Sequence, residues 1–586
     1  LELLLRWLGP LRPGERSPDT GPLMVFLLAL APIAAGVRYG GFALPGPLLW
    51  SLRVALVLAA LGLMVQWLIL ARFASDKRRF IARHSGWSGA MIAALVLFFG
   101  AGFIGGLKAQ TAAATLIALA GAIHRGVRGM ILSPSLHNRP SVTLVLGFAG
   151  LILMGTLVLW EAPRSLANGV EVSFVDALFT ATSATCVTGL ETLPTGTTYS
   201  HFGQTVVLLL IQLGGLGIMA MGTFLLLSTG ARIGIGGRAM MGEVLNVDDL
   251  GRVSRLVTLI LLSTFAFEAL GALAFYPWFQ DQHHGAFAAL FHSVSAFCNA
   301  GIALQGDSFQ SFAADPRFNS IAMVLIIAGG LGFLVLADAG RWFTARFKPR
   351  VRARHFTLHS RLVITSSAAL IVFGALVFWW LERNGVLAER STGQGALASL
   401  FQSVSARTAG FSTVDFGTQE GEGLSVATRF FLLCLMFIGA SPGSTGGGLK
   451  TITFVVLLLA VVALFRNRRR VEIGGRCIPD DIVKKAAAIV LCYAVTIFVS
   501  VLVLLASDGS KFGLGPLMFE SVSAVATVGY SVGVSNSPDL STTGKLVLIV
   551  LMFAGRLGPL TLVLVTGSGR GEPPPVEYPE ERVMIG

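Results

Sequence analysis

Apolar and polar positions follow one pattern that occurs four times along the chain. Each copy has an apolar run long enough to cross a bilayer, a short amphipathic stretch, a single Gly and a second apolar run. The interval from the first Phe to the Gly is ten residues in three copies and nine in the third. The pattern predicts four repeats of helix, short helix, extended segment and helix. The amphipathic stretches run from Phe179 to Gly189, Phe291 to Gly301, Phe401 to Gly410 and Phe519 to Gly529.

The distribution of Lys and Arg between the apolar runs predicts the topology. The connections at 232–255, 341–361 and 466–485 are rich in basic residues, whereas those on the opposite side carry one or two each. Because basic connections stay in the cytoplasm, the four Gly-ended segments are expected to open to the outside, with both termini cytoplasmic. The predicted spans are roughly 22–37, 48–71, 88–107, 111–132, 141–160, 203–227, 254–276, 319–340, 361–381, 427–465, 483–506 and 543–567.

The amphipathic stretches are too short to cross a bilayer. Ser173 to Ala184, at 1.5 Å per residue, can only enter the membrane and return. Polar backbone at membrane depth is stable only where protein or a water-filled path satisfies it. The alternative is four external loops without a pore. Four similar copies, each with a Gly that allows unusual dihedral angles, favour the pore.

Composition supports an integral membrane protein. Mean hydropathy is +0.74, and 13% of residues are charged, against roughly 25% in soluble domains. The net charge of +13 lies in connections between spans, which argues against nucleic-acid binding. Five scattered Cys predict free thiols. The sequence offers neither the buried nucleophile of a membrane enzyme nor the soluble catalytic domain of an ATP-driven pump, so we expect no enzymatic activity.

The residues at and before each Gly predict a cation filter. Rings of backbone carbonyl groups replace the hydration shell of an ion without adding fixed charge. The C-terminal end of each short helix also directs partial negative charge towards the same place. The predicted filter, which is the only metal site expected, consists of Val187, Thr188, Gly189, Asn299, Ala300, Gly301, Thr408, Ala409, Gly410, Thr527, Val528 and Gly529.

A Gly-rich segment interrupts the apolar run from Phe430 to Phe465. Five Gly and one Pro inside a helix would cost about 8 kcal/mol, so the helix must break there. A nucleotide-binding loop is the alternative, but Leu449 is one residue too many for that motif and both flanks are apolar. We predict a flexible gate below the filter, the gate segment 439–450. Its predicted residues are Gly439, Ser441, Pro442, Gly443, Ser444, Thr445, Gly446, Gly447, Gly448 and Lys450, with Arg556 from the last span.

Arg556 stands alone within the last apolar run. A charge at this depth must face water, a carboxylate or carbonyl groups. One interpretation is a structural ion pair with Glu268 or Asp338. The other places Arg556 in the pore below the filter, in contact with the gate segment, where it would oppose a passing cation by roughly 2 kcal/mol at about 8 Å.

Several motifs together resemble the Trk/Ktr/HKT superfamily of potassium uptake proteins, specifically the bacterial membrane subunit. The resemblance covers about residues 137–586 and includes the filter segments, QLGGLGIM (212–219), GASPGSTGGGLK (439–450), MFAGRLGPLTL (552–562) and the tail YPEERVMIG. It implies a pseudo-tetrameric pore within one chain, a homodimer, and a cytosolic nucleotide-binding regulatory ring. Cys186 and Cys298 in the filter segments, and four rather than two additional N-terminal spans, depart from the family pattern.

The predicted fold is an all-α polytopic membrane protein with four helix–pore-loop–helix repeats in pseudo-four-fold arrangement around one pore. Additional N-terminal helices occupy 1–136, the repeats 137–230, 231–350, 351–470 and 471–570, and a cytoplasmic tail 571–586. The predicted function is selective potassium translocation across the cytoplasmic (inner) membrane. A sodium-permeable or cation-coupled symporter is the alternative. We expect no covalently bound cofactor, nucleotide only on the partner subunit, contact with membrane lipid, and no nucleic-acid partner.

Overall fold

The computed structural model describes residues 140–558, except 162–165, 168–169, 217–249, 283, 347–355, 418–422, 469 and 474. The four predicted N-terminal spans and the tail 571–586 lie outside the described residues, as do the ends of the predicted spans 203–227 and 543–567. The described chain is mostly helical, and its elements are given below in the order of the four predicted repeats.

The described residues of the first two repeats form eight α-helices. The first has α1 (Pro140–Glu161), α2 (Phe174–Cys186), α3 (Thr195–Thr198) and α4 (His201–Gly215). The second has α5 (Leu250–Phe279), α6 (Gly285–Cys298), a 3-10 turn (Gln310–Phe312), α7 (Pro316–Leu331) and α8 (Phe333–Arg346). In both, a long outer helix leads to a short pore helix (α2 or α6) and then to an inner helix (α4 or α7).

The third and fourth repeats follow the same order. The third has the outer helix α9 (Leu358–Glu382), the pore helix α10 (Thr392–Ser405) and an inner helix in two parts, α11 (Val426–Phe437) and α12 (Thr451–Phe465). An antiparallel hairpin of β1 (Val471–Ile473) and β2 (Arg476–Ile478) then leads to α13 (Asp480–Phe512), the pore helix α14 (Leu514–Ala526) and the inner helix α15 (Thr542–Leu557). The hairpin is a small correction to the all-α prediction.

Within the described residues, α5, α9 and α13 are long and apolar enough to cross a membrane, and α7 with α8 would make a fourth span if counted together. The pore helices have 13 or 14 residues each. At 1.5 Å per residue they reach only about 20 Å, which is too short to cross a bilayer core of about 30 Å. Their length is that of helices that enter the membrane and return.

The inner helices begin at polar caps on the side where the filter segments end. The side chains of Ser200, Ser425 and Ser541 each accept a hydrogen bond from a backbone N–H in the first turn. Carboxylates near the ends of two outer helices support these caps. Glu382 accepts from the N–H and hydroxyl of Ser425, and Asp508 accepts from the N–H and hydroxyl of Ser541.

The predicted span 319–340 is not one straight helix, which corrects the sequence interpretation. α7 and α8 meet at a bend of 106°. Gly332 lies at the bend with φ of +90°, a conformation that residues with a side chain rarely adopt. The predicted interruption of the span 427–465 is confirmed, since residues 438–450 separate α11 from α12.

Contacts between repeats form a closed cycle. Each inner helix packs against the pore helix of the next repeat: α4 against α6, α7 against α10, and α11 against α14. The last inner helix, α15, packs against α2 of the first repeat. The four extended segments that follow the pore helices are therefore directed towards a common centre.

Candidate functional site

The four glycines of the predicted filter lie against one another at this centre. Gly189, Gly301, Gly410 and Gly529 all have positive φ, between +71° and +96°. A Cβ added to Gly189 would lie 2.5 Å from the carbonyl oxygen of Ala300, and one on Gly301 would lie 2.7 Å from that of Ala409. A side chain at any of these positions would therefore collide with the next segment.

The same contact recurs around the remaining two segments. A Cβ on Gly410 would overlap the carbonyl oxygen of Val528, and one on Gly529 would overlap that of Thr188. In every case the oxygen belongs to the residue directly before the glycine of the neighbouring repeat. Consecutive repeats are joined in this way, and the fourth meets the first. The predicted filter residues thus come together, with backbone carbonyl groups packed on glycine.

Residues two before each glycine lie at the ends of the pore helices. Val187, Asn299, Thr408 and Thr527 have φ between +52° and +68°, the left-handed region. In the first, second and fourth repeats this residue caps the pore helix by donating its N–H to carbonyls of the last turn. In the third repeat, Ala406 caps a helix that ends at Ser405, five residues before its glycine rather than three. The Phe-to-Gly interval of this repeat is one residue shorter than in the others, and the difference lies at the end of the helix, before the filter begins.

A serine at one equivalent position of each pore helix holds its filter segment. Ser183 and Ser523 accept hydrogen bonds from the N–H groups of Gly189 (3.1 Å) and Gly529 (3.2 Å). Ser295 and Ser405 instead donate to the carbonyl oxygen of the residue after the filter glycine, at 2.7 and 2.6 Å. Sequence reasoning missed this role of the serines.

The two ends of the gate segment 439–450 are hydrogen-bonded to each other, and the segment is also attached to the second repeat. Its ends meet where Gly439 donates to the carbonyl of Leu449 at 2.9 Å. Lys450 donates through Nζ to the carbonyl oxygens of Gly446 (2.7 Å) and Gly447 (3.3 Å). Three backbone hydrogen bonds join the segment to the bend between α7 and α8: Ser441 N–H to Gly330 (3.2 Å), Thr445 N–H to Gly329 (3.2 Å), and Phe333 N–H to Gly443 (3.0 Å).

The segment lies directly against the pore-helix ends of three repeats. Gly447 donates its N–H to Oγ1 of Thr527 at 3.1 Å, and a Cβ on Gly446 would overlap Oγ1 of Thr408. Thr445 donates its hydroxyl to the carbonyl of Phe297 at 3.2 Å. The predicted gate residues and the predicted filter residues are thus in contact.

Arg556 meets the gate segment, as the sequence predicted. Its guanidinium, buried in α15, donates to the carbonyl oxygens of Thr445 and of Gly214. The alternative ion pairs are not formed. The carboxylate of Glu268 receives the thiol of Cys298, and that of Asp338 receives the hydroxyls of Thr357 and Ser360.

The first and second repeats have glycine where the fourth has Arg556. A glycine of the inner helix packs on a pore-helix carbonyl in three repeats, because a Cβ there would overlap the oxygen of Thr185, Phe297 or Val525. The residue after that glycine is Gly215 in the first repeat, Gly330 in the second and Arg556 in the fourth. Space for one large guanidinium therefore exists because its equivalents have little or no side chain.

Several buried hydroxyl groups around this region have no hydrogen-bond partner among the described residues: Thr185, Thr188, Thr408 and Ser441. The two cysteines that depart from the family pattern, Cys186 and Cys298, are buried free thiols at the pore-helix ends. In the described part of the chain no three His, Cys, Asp or Glu side chains gather as a metal site. This region offers neutral oxygen atoms, with the guanidinium groups of Arg407 and Arg556 and the ammonium group of Lys450 nearby.

Sequence and structure comparisons identify the family. Residues 141–568 match the sequence model of the TrkH family, described as cation transport protein. The chain belongs to this family. It is 37% identical over 452 residues to the Ktr system potassium uptake protein B of Bacillus subtilis, covering 76% of this chain and 97% of that protein. Membership in a family of transporters agrees with the expected absence of enzymatic activity.

Other relatives and a solved structure are similar over much of the chain. The potassium/sodium uptake protein NtpJ of Enterococcus hirae is 36% identical over 455 residues, covering 76% of this chain and 97% of that protein. The crystal structure of the potassium transporter TrkH from Vibrio parahaemolyticus superposes with a TM-score of 0.60 at 20% identity, covering 88% of this chain and 97% of the other. The fold is therefore that of TrkH.

Proposed function

We propose that this chain translocates potassium selectively across the cytoplasmic membrane, inward under the membrane potential. One observation carries the proposal: the cycle of contacts in which each filter glycine packs on the carbonyl preceding the next. Four segments that meet at one centre through backbone oxygen and glycine can surround a dehydrated cation. The four repeats then stand in pseudo-four-fold arrangement around a single path.

The gate segment and Arg556 close this path below the filter. The segment contacts the pore-helix ends of three repeats, and Arg556 holds it by donating to Thr445. A cation that passes must displace the segment and cross the field of the guanidinium. At about 8 Å and an effective dielectric constant of about 20, that field opposes the ion by roughly 2 kcal/mol, which slows flux without abolishing it.

The proposal extends to the wider assembly. Relatives are named as components of Ktr systems, which supports a cytosolic regulatory ring that carries the nucleotide and docks on the basic connections 341–361 and 466–485. The proposal includes a homodimer in the lipid bilayer with both termini in the cytoplasm. No cofactor bound to this chain is needed for the path described.

A sodium-permeable or cation-coupled transporter is the second candidate. The name of the Enterococcus hirae relative includes both ions, and the filter of this chain is flanked by two thiols rather than by hydroxyl or amide groups.

The deciding experiment measures radioactive potassium and sodium uptake into liposomes that contain the purified full-length chain. We expect potassium uptake to exceed sodium uptake when each ion is supplied alone, and to proceed without an opposing or accompanying ion gradient. Equal uptake of the two ions would refute the potassium filter. Potassium uptake that requires a sodium gradient would establish the second candidate.

A further inference from the structure

The residue after the Phe that begins each amphipathic stretch differs in every repeat. Thr180, His292, Gln402 and Glu520 occupy this position, and all four are buried with at most 1% of their surface exposed. Each makes a hydrogen bond to the chain that follows its filter segment. The side chain at this position therefore holds the segment that follows the filter against the pore helix, and this brace uses a different chemical group in each repeat.

In three repeats the brace stays within its own repeat. The hydroxyl of Tyr199 donates to Oγ1 of Thr180 at 3.2 Å, and the N–H of Leu304 donates to Nε2 of His292 at 3.2 Å. Glu520 accepts from the hydroxyl of Ser531. These bonds hold each post-filter segment against its own pore helix.

Gln402 extends the brace to another repeat. Its Nε2 donates to Oγ of Ser412 (3.2 Å) and Oγ1 of Thr413 (3.4 Å), which follow the third filter segment. Its Oε1 accepts from the hydroxyl of Tyr530 at 2.6 Å, and Tyr530 directly follows the filter glycine of the fourth repeat. The same hydroxyl lies 3.2 Å from the Gln402 carbonyl oxygen, and the Tyr530 ring packs on Phe416 with centroids 4.6 Å apart.

We infer that the hydrogen bond from Tyr530 to Gln402 is a tie between the third and fourth repeats that determines selectivity. It connects residue 530, one position beyond Gly529, with a pore helix that itself holds the segment after Gly410. Both side chains are buried, so water does not replace the bond. The inference rests on the potassium filter proposed above and adds two positioning residues that do not contact the ion.

The physical reason concerns the smaller ion. Carbonyl groups that can move inward surround sodium as well as they surround potassium, and selectivity then falls. A tie from the filter backbone to a neighbouring pore helix opposes this movement. Removing it should ease contraction around sodium while leaving the carbonyl groups that coordinate potassium in place.

The test compares two variants, each of which loses the hydroxyl oxygen of one tyrosine. Tyr530→Phe removes the hydroxyl of the tie and keeps the ring on Phe416, whereas Tyr199→Phe removes a hydroxyl whose bond stays within the first repeat. The ratio of potassium to sodium uptake is measured in liposomes containing the full-length chain. We expect Tyr530→Phe to lower the ratio by about five-fold, the equivalent of about 1 kcal/mol for one buried neutral hydrogen bond. Tyr199→Phe should lower the ratio less, because Tyr199 lies ten residues beyond Gly189 rather than one and its bond connects no second repeat.

A double-mutant cycle with Gln402→Met distinguishes loss of the Gln402–Tyr530 hydrogen bond from a general loss of packing. In the Gln402→Met background the partner of the hydroxyl is gone, so Tyr530→Phe should have no further effect on the ratio. An equal additional loss in that background would overturn the inference. A wild-type protein without potassium preference would refute the proposed function, whereas a selective wild type with an equally selective Tyr530→Phe variant would refute only the tie.

Discussion

Substitution of Gly332 by alanine tests whether the bend of the second inner helix holds the gate closed. Gly332 directly follows α7 and has φ +90° and ψ +145°. A Cβ at this position would lie 2.7 Å from the carbonyl oxygen of Pro442 in the gate segment. The substitution should push the segment away from the bend. Gly332→Ala is therefore expected to raise basal potassium flux.

Gly558 provides a matched control. It ends α15 with φ +84° and ψ +134°, nearly the same backbone conformation, and among the described residues no heavy atom lies within 4 Å of a Cβ added there. Alanine in such a conformation costs roughly 1–3 kcal/mol at either position. The two variants share the backbone strain, and only Gly332→Ala adds the collision with the gate.

The expected rise in flux can be estimated from the hydrogen bonds next to the contact between the added Cβ and Pro442. Phe333 donates to Gly443 at 3.0 Å and Ser441 donates to Gly330 at 3.2 Å, and a displaced segment weakens both. At about 1 kcal/mol for each neutral hydrogen bond, the closed state loses about 1–2 kcal/mol. This corresponds to an approximately 5- to 30-fold rise in the open population.

The assay is radioactive potassium uptake into liposomes, normalised to the folded protein recovered by size-exclusion chromatography. Thermal unfolding of both variants reports the shared strain. If Gly332→Ala and Gly558→Ala lower thermal stability to a similar extent and transport potassium at the same rate, the bend does not hold the gate.

Two further substitutions and one deletion test the filter and the gate. Gly189→Ser places a side chain against the Ala300 carbonyl and should lower the potassium-to-sodium uptake ratio, whereas Gly150→Ser on α1, where no heavy atom lies within 4 Å among the described residues, should preserve it. Deleting Ser441 to Gly447 should raise basal flux without changing that ratio, because the filter is intact. Arg556→Ala should give folded protein with flux up to about 30-fold faster, since a barrier of roughly 2 kcal/mol is removed and no carboxylate loses its partner.

For each of these three expectations, one result would contradict it. An unchanged uptake ratio in Gly189→Ser would place residue 189 outside the ion path. Unchanged flux after the deletion, with normal yield, would show that the gate segment packs away from the path. A poorly folded Arg556→Ala protein that is rescued by neutralising Glu268 would establish the ion pair that the contacts of Arg556 argue against.

The short helices and the glycines that follow them could be predicted because their signals are local. A short amphipathic helix followed by Gly is visible within a dozen residues, and the Gly-rich gate segment has a helix cost that no apolar run can offset. Arg556 was identified because a lone charge in a membrane span requires a specific partner.

The bend at Gly332 and the Gln402–Tyr530 tie depend on contacts that are distant in sequence. Gly is common in membrane helices, so Gly332 inside an apolar run does not by itself indicate a break. The bend is stabilised by Gly443, more than a hundred residues away. Gln402 and Tyr530 are separated by 128 residues, and nothing in either local pattern indicates their pairing.

Joining four repeats in one polypeptide allows a single asymmetric charge. Were the pore built from four identical chains, an arginine at the level of Arg556 would occur four times, and four guanidinium groups in the same small space would repel one another and fill the path. Here Gly215 and Gly330 lie at the equivalent positions of the first two repeats, and the fourth carries Arg556. Similar backbone segments can thus surround one centre, while a substitution at a single residue would change the strength of the proposed barrier.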